Sequence, residues 1–135
     1  MRSARTEPAG QADLYDPGMA DLTIWHNPRC SKSRSARDLL ASAGVPFDER
    51  RYLDTPPTAA ELDAVLDALG KEPWEITRMG EDVAKELGLR ALQHDRDAWI
   101  HVLVTNPILI ERPIVVRSDG RAVVGRPPEA VRDLL

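Results

Sequence analysis

The sequence of 135 residues contains a single cysteine, Cys30. One cysteine cannot form a disulfide within the chain, and it cannot supply the cluster of thiolates that a cysteine-based metal site needs. Proteins without internal disulfides are typical of reducing compartments, so we expect a cytoplasmic location. We also expect no histidine-based metal site, because the three histidines do not show the spacing of metal ligands.

Long apolar runs and an excess of positive charge are missing as well. No apolar stretch approaches the roughly 18–20 residues that cross a bilayer, and residues 1–20 lack the apolar core of a signal peptide. The formal net charge is −4, which argues against a general affinity for nucleic acid or for an anionic membrane. We therefore expect neither as a partner. With 42% apolar and 30% charged residues, the composition is that of a globular protein.

The first part of the chain differs from the rest. Residues 1–21 show neither a helical nor a strand period, and we predict a flexible tail there, followed by one folded domain over residues 22–135. The β-branched and aromatic run Leu22–Trp25 predicts a buried strand. Apolar residues at helical spacing predict a helix from about Ser31 to Ala43.

Strand and helix signals alternate along the remaining sequence. The further predicted elements are a strand over Val45–Leu53, a helix that starts with the capping box Thr58–Glu61, two short helices within Trp74–Leu92, a helix capped by Asp95, a hairpin of Ile114–Arg117 with Ala122–Val124, and a last helix that opens at Pro127 and Pro128. This order predicts an α/β fold: a central mixed four-stranded sheet with flanking helices and a helical insertion, as in thioredoxin-like proteins.

Cys30 stands between the first predicted strand and the first predicted helix. The first turn of a helix offers unpaired N–H groups and the positive end of the macrodipole, and both stabilise a thiolate over a thiol. Arg29, Lys32 and Arg34 add positive charge nearby. The position therefore predicts a reactive thiolate.

Two neighbours of the cysteine are candidates for a supporting role. His26 could supply a hydrogen bond or a charge, and Ser33 occupies the place of the second cysteine in a Cys-x-x-Cys motif, from which its hydroxyl could donate to the sulfur. The alternative is that Cys30 is a small buried hydrophobic residue, as lone cysteines often are. Its polar and charged neighbours favour the reactive interpretation.

Three arginines are candidates for binding an anion beside the cysteine. Arg112 precedes Pro113 at the start of a predicted strand, Arg126 precedes Pro127 between the hairpin and the last helix, and Arg78 lies in the helical insertion. The planar guanidinium group suits bidentate recognition of phosphate, sulfate or arsenate. For any one arginine, the alternative is a solvated surface charge.

Four separated motifs resemble the ArsC family of thioredoxin-fold arsenate reductases. Residues Ile24–Arg34 resemble its active-site loop, and Arg51–Thr58 its second strand and the turn that follows. Residues Asn106–Val116 resemble a distinctive later block, and Gly125–Glu129 its closing motif. The four occur in the family's order, and the resemblance extends from about Leu22 to Leu135.

The resemblance implies the following roles for residues of this chain: Cys30 as the nucleophile, Arg78, Arg112 and Arg126 as the oxyanion-binding set, His26 and Ser33 as supporting residues, and Pro113 as the cis-proline of the fold. It implies that Cys30 attacks arsenate in a reaction of arsenic detoxification, with no bound cofactor and no metal. An external thiol such as glutathione, together with a glutaredoxin-like protein, then completes the reduction to arsenite. This agrees with the absence of a second cysteine that could resolve the adduct.

Two other functions stay open. The chain could be an ArsC-like thiol reductase with another substrate, such as a glutathione mixed disulfide, or a regulator that binds RNA polymerase, like the related Spx proteins. Redox-switched Spx members carry Cys-x-x-Cys, whereas this chain has Cys30 and Ser33. We further expect a monomer.

Overall fold

The computed structural model of the protein describes residues 20–135. Most of the tail predicted over residues 1–21 lies outside this range. The strands and helices are β1 (Leu22–Trp25), α1 (Ser31–Ser42), β2 (Phe47–Arg50), α2 (Ala59–Leu69), α3 (Asp82–Glu86), α4 (Arg96–Thr105), β3 (Ile114–Arg117) and β4 (Ala122–Val124). Short 3-10 helices cover Pro73–Ile76, Leu89–Ala91, Pro107–Leu109 and Pro128–Leu134. Within residues 20–135, no helix is long and apolar enough to cross a membrane.

The four strands form one mixed sheet in the order β2-β1-β3-β4. Strand β1 pairs in parallel with β2 and antiparallel with β3, and β3 and β4 form the antiparallel hairpin. This confirms the predicted sheet. All four residues of β1 are buried, as expected of a central strand that is covered on both faces.

Side chains that alternate along β1 enter two different cores. Leu22 and Ile24 pack with Leu40 of α1 and with the C-terminal 3-10 helix, through Val131. Trp25 belongs to the larger cluster on the other face, which α2, α4 and the helical insertion cover. Because successive strand residues point to opposite faces, β1 joins both cores.

The observed elements differ from the predicted ones at two places. Strand β2 ends at Arg50 rather than Leu53, because the chain turns there, with the N–H of Asp54 donating to the Arg51 carbonyl at 2.9 Å. The last helix is a 3-10 helix that begins at Pro128, in which the N–H of Ala130 donates to the carbonyl of Pro127. The capping box of α2 and the Asp95 cap of α4 are as predicted.

A buried ion pair joins β2 to the start of α2. Arg50 donates to both carboxylate oxygens of Glu61, at 2.6 and 3.1 Å, and also to the carbonyls of Thr55 and Pro56. The same carboxylate accepts from the N–H of Thr58 at 2.9 Å, which completes the capping box. This network fixes the turn that leaves the sheet beside the cysteine loop.

Removing the charge of Glu61 should destabilise the fold. The substitution Glu61→Gln removes the carboxylate charge that faces the buried guanidinium of Arg50, which costs about 3 kcal/mol of unfolding free energy. Glu86→Gln is the matched control, because Glu86 is exposed in α3, and it should change stability by less than about 0.5 kcal/mol. Urea unfolding measures both variants. Equal midpoints for the two would show that the buried pair contributes no stability.

Candidate active site

The end of β1 and the start of α1 hold Cys30. The sheet pairing continues past Trp25, since the N–H of His26 donates to the Arg50 carbonyl at 2.8 Å. A tight loop follows, in which the N–H of Cys30 donates to the Asn27 carbonyl at 3.0 Å. Cys30 is the N-cap residue of α1, with an extended backbone, and its side chain is partly exposed. The predicted position at a helix start is confirmed.

The start of α1 and one arginine favour the thiolate of Cys30 over the thiol. Burial raises the pKa of the thiol, but the backbone N–H of Ser33, the guanidinium of Arg112 and the backbone N–H of Lys32 act in the opposite direction. Their combined effect lowers the pKa of Cys30 below the usual value. The unpaired donors of the first helical turn therefore face the sulfur, as the sequence position predicts.

Two of the three candidate arginines act on the sulfur. Arg112 is buried, and its guanidinium lowers the pKa of the Cys30 thiol. Nη2 of Arg126 lies 3.8 Å from Sγ of Cys30, and Nε of Arg126 donates to the Arg112 carbonyl at 2.8 Å. The peptide bond between Arg112 and Pro113 is cis, as predicted, and so is the bond between Arg126 and Pro127.

Arg78 joins the same site through backbone pairing. The insertion runs beside the segment before β3, because the N–H of Arg78 donates to the Leu109 carbonyl and the N–H of Glu111 to the Ile76 carbonyl, at 2.7 and 2.8 Å. Nη1 of Arg78 then donates to Oε1 of Glu111 at 2.9 Å. This carboxylate also lies 3.0 Å from Nε of Arg126. The structure thus brings together all three arginines that the sequence singled out.

His26 and Ser33 support the loop rather than the sulfur directly. Nδ1 of His26 lies 2.7 Å from Oγ of Ser33, and the same hydroxyl oxygen accepts from the N–H of Asn27 at 3.0 Å. Burial lowers the pKa of His26, so its neutral ring can accept the one hydroxyl proton of Ser33. The hydroxyl of Ser33 is therefore engaged within the loop, and it is the backbone N–H of Ser33 that faces the sulfur.

Two residues at the site were not assigned a role from the sequence. Glu111 bridges arginines, and Tyr52 is fully buried with a hydroxyl that has no hydrogen-bond partner among residues 20–135. Burial raises the pKa of Tyr52 to about 12, and the charges of Arg112 and Cys30 are near enough to affect that pKa. The only sequence signal for either was its place inside a motif that resembles the ArsC family.

The site also has a neighbouring space for a small molecule. An open pocket of about 490 Å³ is lined by Arg78, Glu81, Glu111 and adjacent residues of the insertion. Within residues 20–135, no three histidine, cysteine, aspartate or glutamate side chains are grouped so that they could hold a metal ion. The arrangement is thus a thiolate beside a set of guanidinium groups, which suits attack on a small anion.

Comparison with known proteins agrees with this geometry. The model of the ArsC family matches residues 25–134. The chain belongs to the ArsC family. It is 42% identical over 118 residues to the arsenate reductase of Neisseria meningitidis serogroup A, a match that covers 87% of this chain and all of that protein. The ArsC chain is also 52% identical over 117 residues to an uncharacterized protein in the glnII region of Streptomyces viridochromogenes, with 84% and 98% covered.

Solved structures show the same fold. The arsenate reductase from Vibrio cholerae has a TM-score of 0.81 and 40% identity, with 87% of this chain and 100% of that one covered. A putative arsenate reductase from Yersinia pestis has a TM-score of 0.79 and 42% identity, with 84% and 99% covered. The predicted thioredoxin-like α/β fold of ArsC proteins is confirmed, and the chain is arsenate reductase-like.

The pH dependence of alkylation should report the lowered pKa of Cys30. The alkylation rate rises as the thiolate forms, so the midpoint of the rate profile should lie below that of an ordinary thiol. Arg112→Ala removes a positive charge that favours the thiolate, so it should raise the midpoint. Arg90→Ala, at an exposed arginine, is the matched control. A midpoint that Arg112→Ala leaves unchanged would refute the role of Arg112.

Removing the hydroxyl of Tyr52 should not weaken the fold. A buried hydroxyl without a partner loses its hydration and gains nothing, so Tyr52→Phe should leave the unfolding free energy unchanged or raise it by up to about 1 kcal/mol. Thr58→Ala is the matched control, since it deletes a hydroxyl that accepts from the N–H of Glu61 and should cost about 1 kcal/mol. A loss of similar size in Tyr52→Phe would mean that the phenol has a protein partner.

Proposed function

We propose that this ArsC protein reduces arsenate, with Cys30 as the nucleophile. The observation that supports this most directly is the placement of the sulfur at the N-terminus of α1, 3.8 Å from Nη2 of Arg126 and near enough to Arg112 for its charge to lower the pKa of Cys30. A thiolate in that position is held ready beside donors that can bind the oxygens of a tetrahedral anion. The arsenate reductases among its relatives supply the choice of oxyanion.

The first step is a nucleophilic substitution at arsenic. The thiolate of Cys30 forms a sulfur–arsenic bond, and an arsenate oxygen leaves as water after it is protonated. Arg112 and Arg126 hold the negative charge of the oxyanion, while the N–H groups at the start of α1 stabilise the thiolate before attack. In this mechanism Arg78 acts from the edge of the site, through the carboxylate it shares with Arg126.

The second step needs a thiol from outside the chain. Arsenate gains two electrons when it becomes arsenite, and two thiols supply them by joining into one disulfide. Cys30 is the only cysteine, so an external thiol such as glutathione attacks the adduct and a glutaredoxin-like protein completes the exchange. The reaction calls for no metal and no bound cofactor. We expect the reaction to take place in the reducing cytoplasm. We expect the protein to act as a monomer, since one chain supplies the whole site.

Replacing the sulfur should abolish the reaction. In an assay of arsenate-dependent glutathione oxidation with glutaredoxin present, Cys30→Ser should fall to the background rate, because a serine hydroxyl is far less ionised than a thiol. Ser35→Ala, at an exposed position of α1, should keep the wild-type rate. Circular dichroism and the unfolding midpoint should show that both variants are folded.

Three measurements separate the candidate functions: arsenate reduction, reduction of a glutathione mixed disulfide, and binding to RNA polymerase. Turnover of arsenate by Cys30→Ser would contradict the mechanism. A wild-type chain that reduces a glutathione mixed disulfide and leaves arsenate untouched would be a thiol reductase with another substrate. A chain that turns over neither substrate and binds RNA polymerase would fit the Spx-like alternative.

A further inference from the structure

One carboxylate oxygen of the site contacts all three arginine residues. Oε1 of Glu111 accepts from Nη1 of Arg78 at 2.9 Å and from the backbone N–H of Arg112 at 3.2 Å, and it lies 3.0 Å from Nε of Arg126. Glu111 is only partly exposed, with 28% of its side chain accessible. Such a carboxylate is screened less by solvent than a surface charge.

A second carboxylate contacts the same arginine set. Oε2 of Glu81 lies 3.2 Å from Nε of Arg78 and 3.9 Å from Nη1 of Arg112. Three guanidinium groups and two carboxylates leave one net positive charge, and the thiolate of Cys30 balances it. These six groups together are therefore close to neutral, although three of them are arginines. They attract a doubly charged anion less strongly than three unpaired arginines would.

We propose that Glu111 is a positioning residue that holds the side chains of Arg78 and Arg126 in place and determines which charge state of an oxyanion the site prefers. By neutralising part of the arginine charge, Glu111 favours singly charged, protonated oxyanions over doubly charged ones. This inference rests on the proposed role of the arginines in binding an oxyanion. It concerns the selectivity of that site, and it does not depend on arsenate being the substrate.

Two tetrahedral anions of different charge test the proposal without any turnover. Sulfate carries two negative charges and perchlorate one, and each should protect Cys30 from alkylation when it occupies the site. The measurement is the ratio of the two protection constants at constant ionic strength. Glu111→Gln keeps the size and one acceptor oxygen but removes the charge, so it should increase the preference for sulfate by about tenfold, which corresponds to about 1.4 kcal/mol.

The pH profile of alkylation provides a second readout. Without the charge of Glu111, the arginines stabilise the thiolate of Cys30 more strongly, so the midpoint of the alkylation profile should move to lower pH. At a pH below the wild-type midpoint, alkylation should be at least about threefold faster, which corresponds to a midpoint shift of about half a pH unit. Glu111→Asp keeps the charge and should retain the wild-type preference. Glu86→Gln removes an exposed charge of α3 and controls for the net charge of the chain.

The outcomes separate this proposal from the proposed function. A sulfate preference that is the same in wild type and Glu111→Gln would overturn it, as would equal changes in Glu111→Gln and Glu86→Gln, which would point to the overall charge. Failure of both anions to protect wild-type Cys30 would also overturn it. None of these results depends on arsenate reduction, which could still succeed or fail in its own assay.

Discussion

The contact between the sulfur of Cys30 and the guanidinium of Arg126 joins two segments that are far apart in the sequence. It requires the C-terminal end of β1 to lie beside the N-terminal end of β3 and close to the C-terminal end of β4. The central position of β1, paired with β2 on one side and β3 on the other, provides this. The two cores on opposite faces of β1 hold that arrangement in place, so the site depends on the packing of the whole sheet.

Charge balance is the second constraint on the site. Three guanidinium groups packed together repel one another, and Glu81 and Glu111 offset that repulsion with ion pairs of 2.9 to 3.9 Å. The same carboxylates limit how strongly the arginines stabilise the thiolate and attract an incoming anion. Stability of the site and its selectivity for anion charge are therefore two consequences of one set of contacts. The N–H groups at the N-terminus of α1 lower the pKa of Cys30 independently of this balance.

Much of this structure could be predicted from the sequence, because its signals are local. The apolar spacing of α1, the capping box of α2 and the turn of the hairpin each specify their element within a few residues. The bridging by Glu111 could not be predicted, because it depends on the pairing of residues 76–78 with residues 109–111 across the fold. The directions of side chains could not be predicted from the sequence either. The hydroxyl of Ser33 hydrogen-bonds to His26 and Asn27 within the loop, and that of Tyr52 is buried without a partner among the described residues.

In the proposed mechanism, Cys30 forms a covalent bond to the arsenic of arsenate. The most direct test is mass spectrometry of the wild-type chain, quenched within one turnover after it is mixed with arsenate and glutathione. We expect an arsenic-containing adduct on the peptide that carries Cys30, and we expect it to be absent when arsenate is left out and absent in Cys30→Ser. Arsenite release with no adduct at any time point, or an adduct on a peptide that lacks Cys30, would contradict the mechanism.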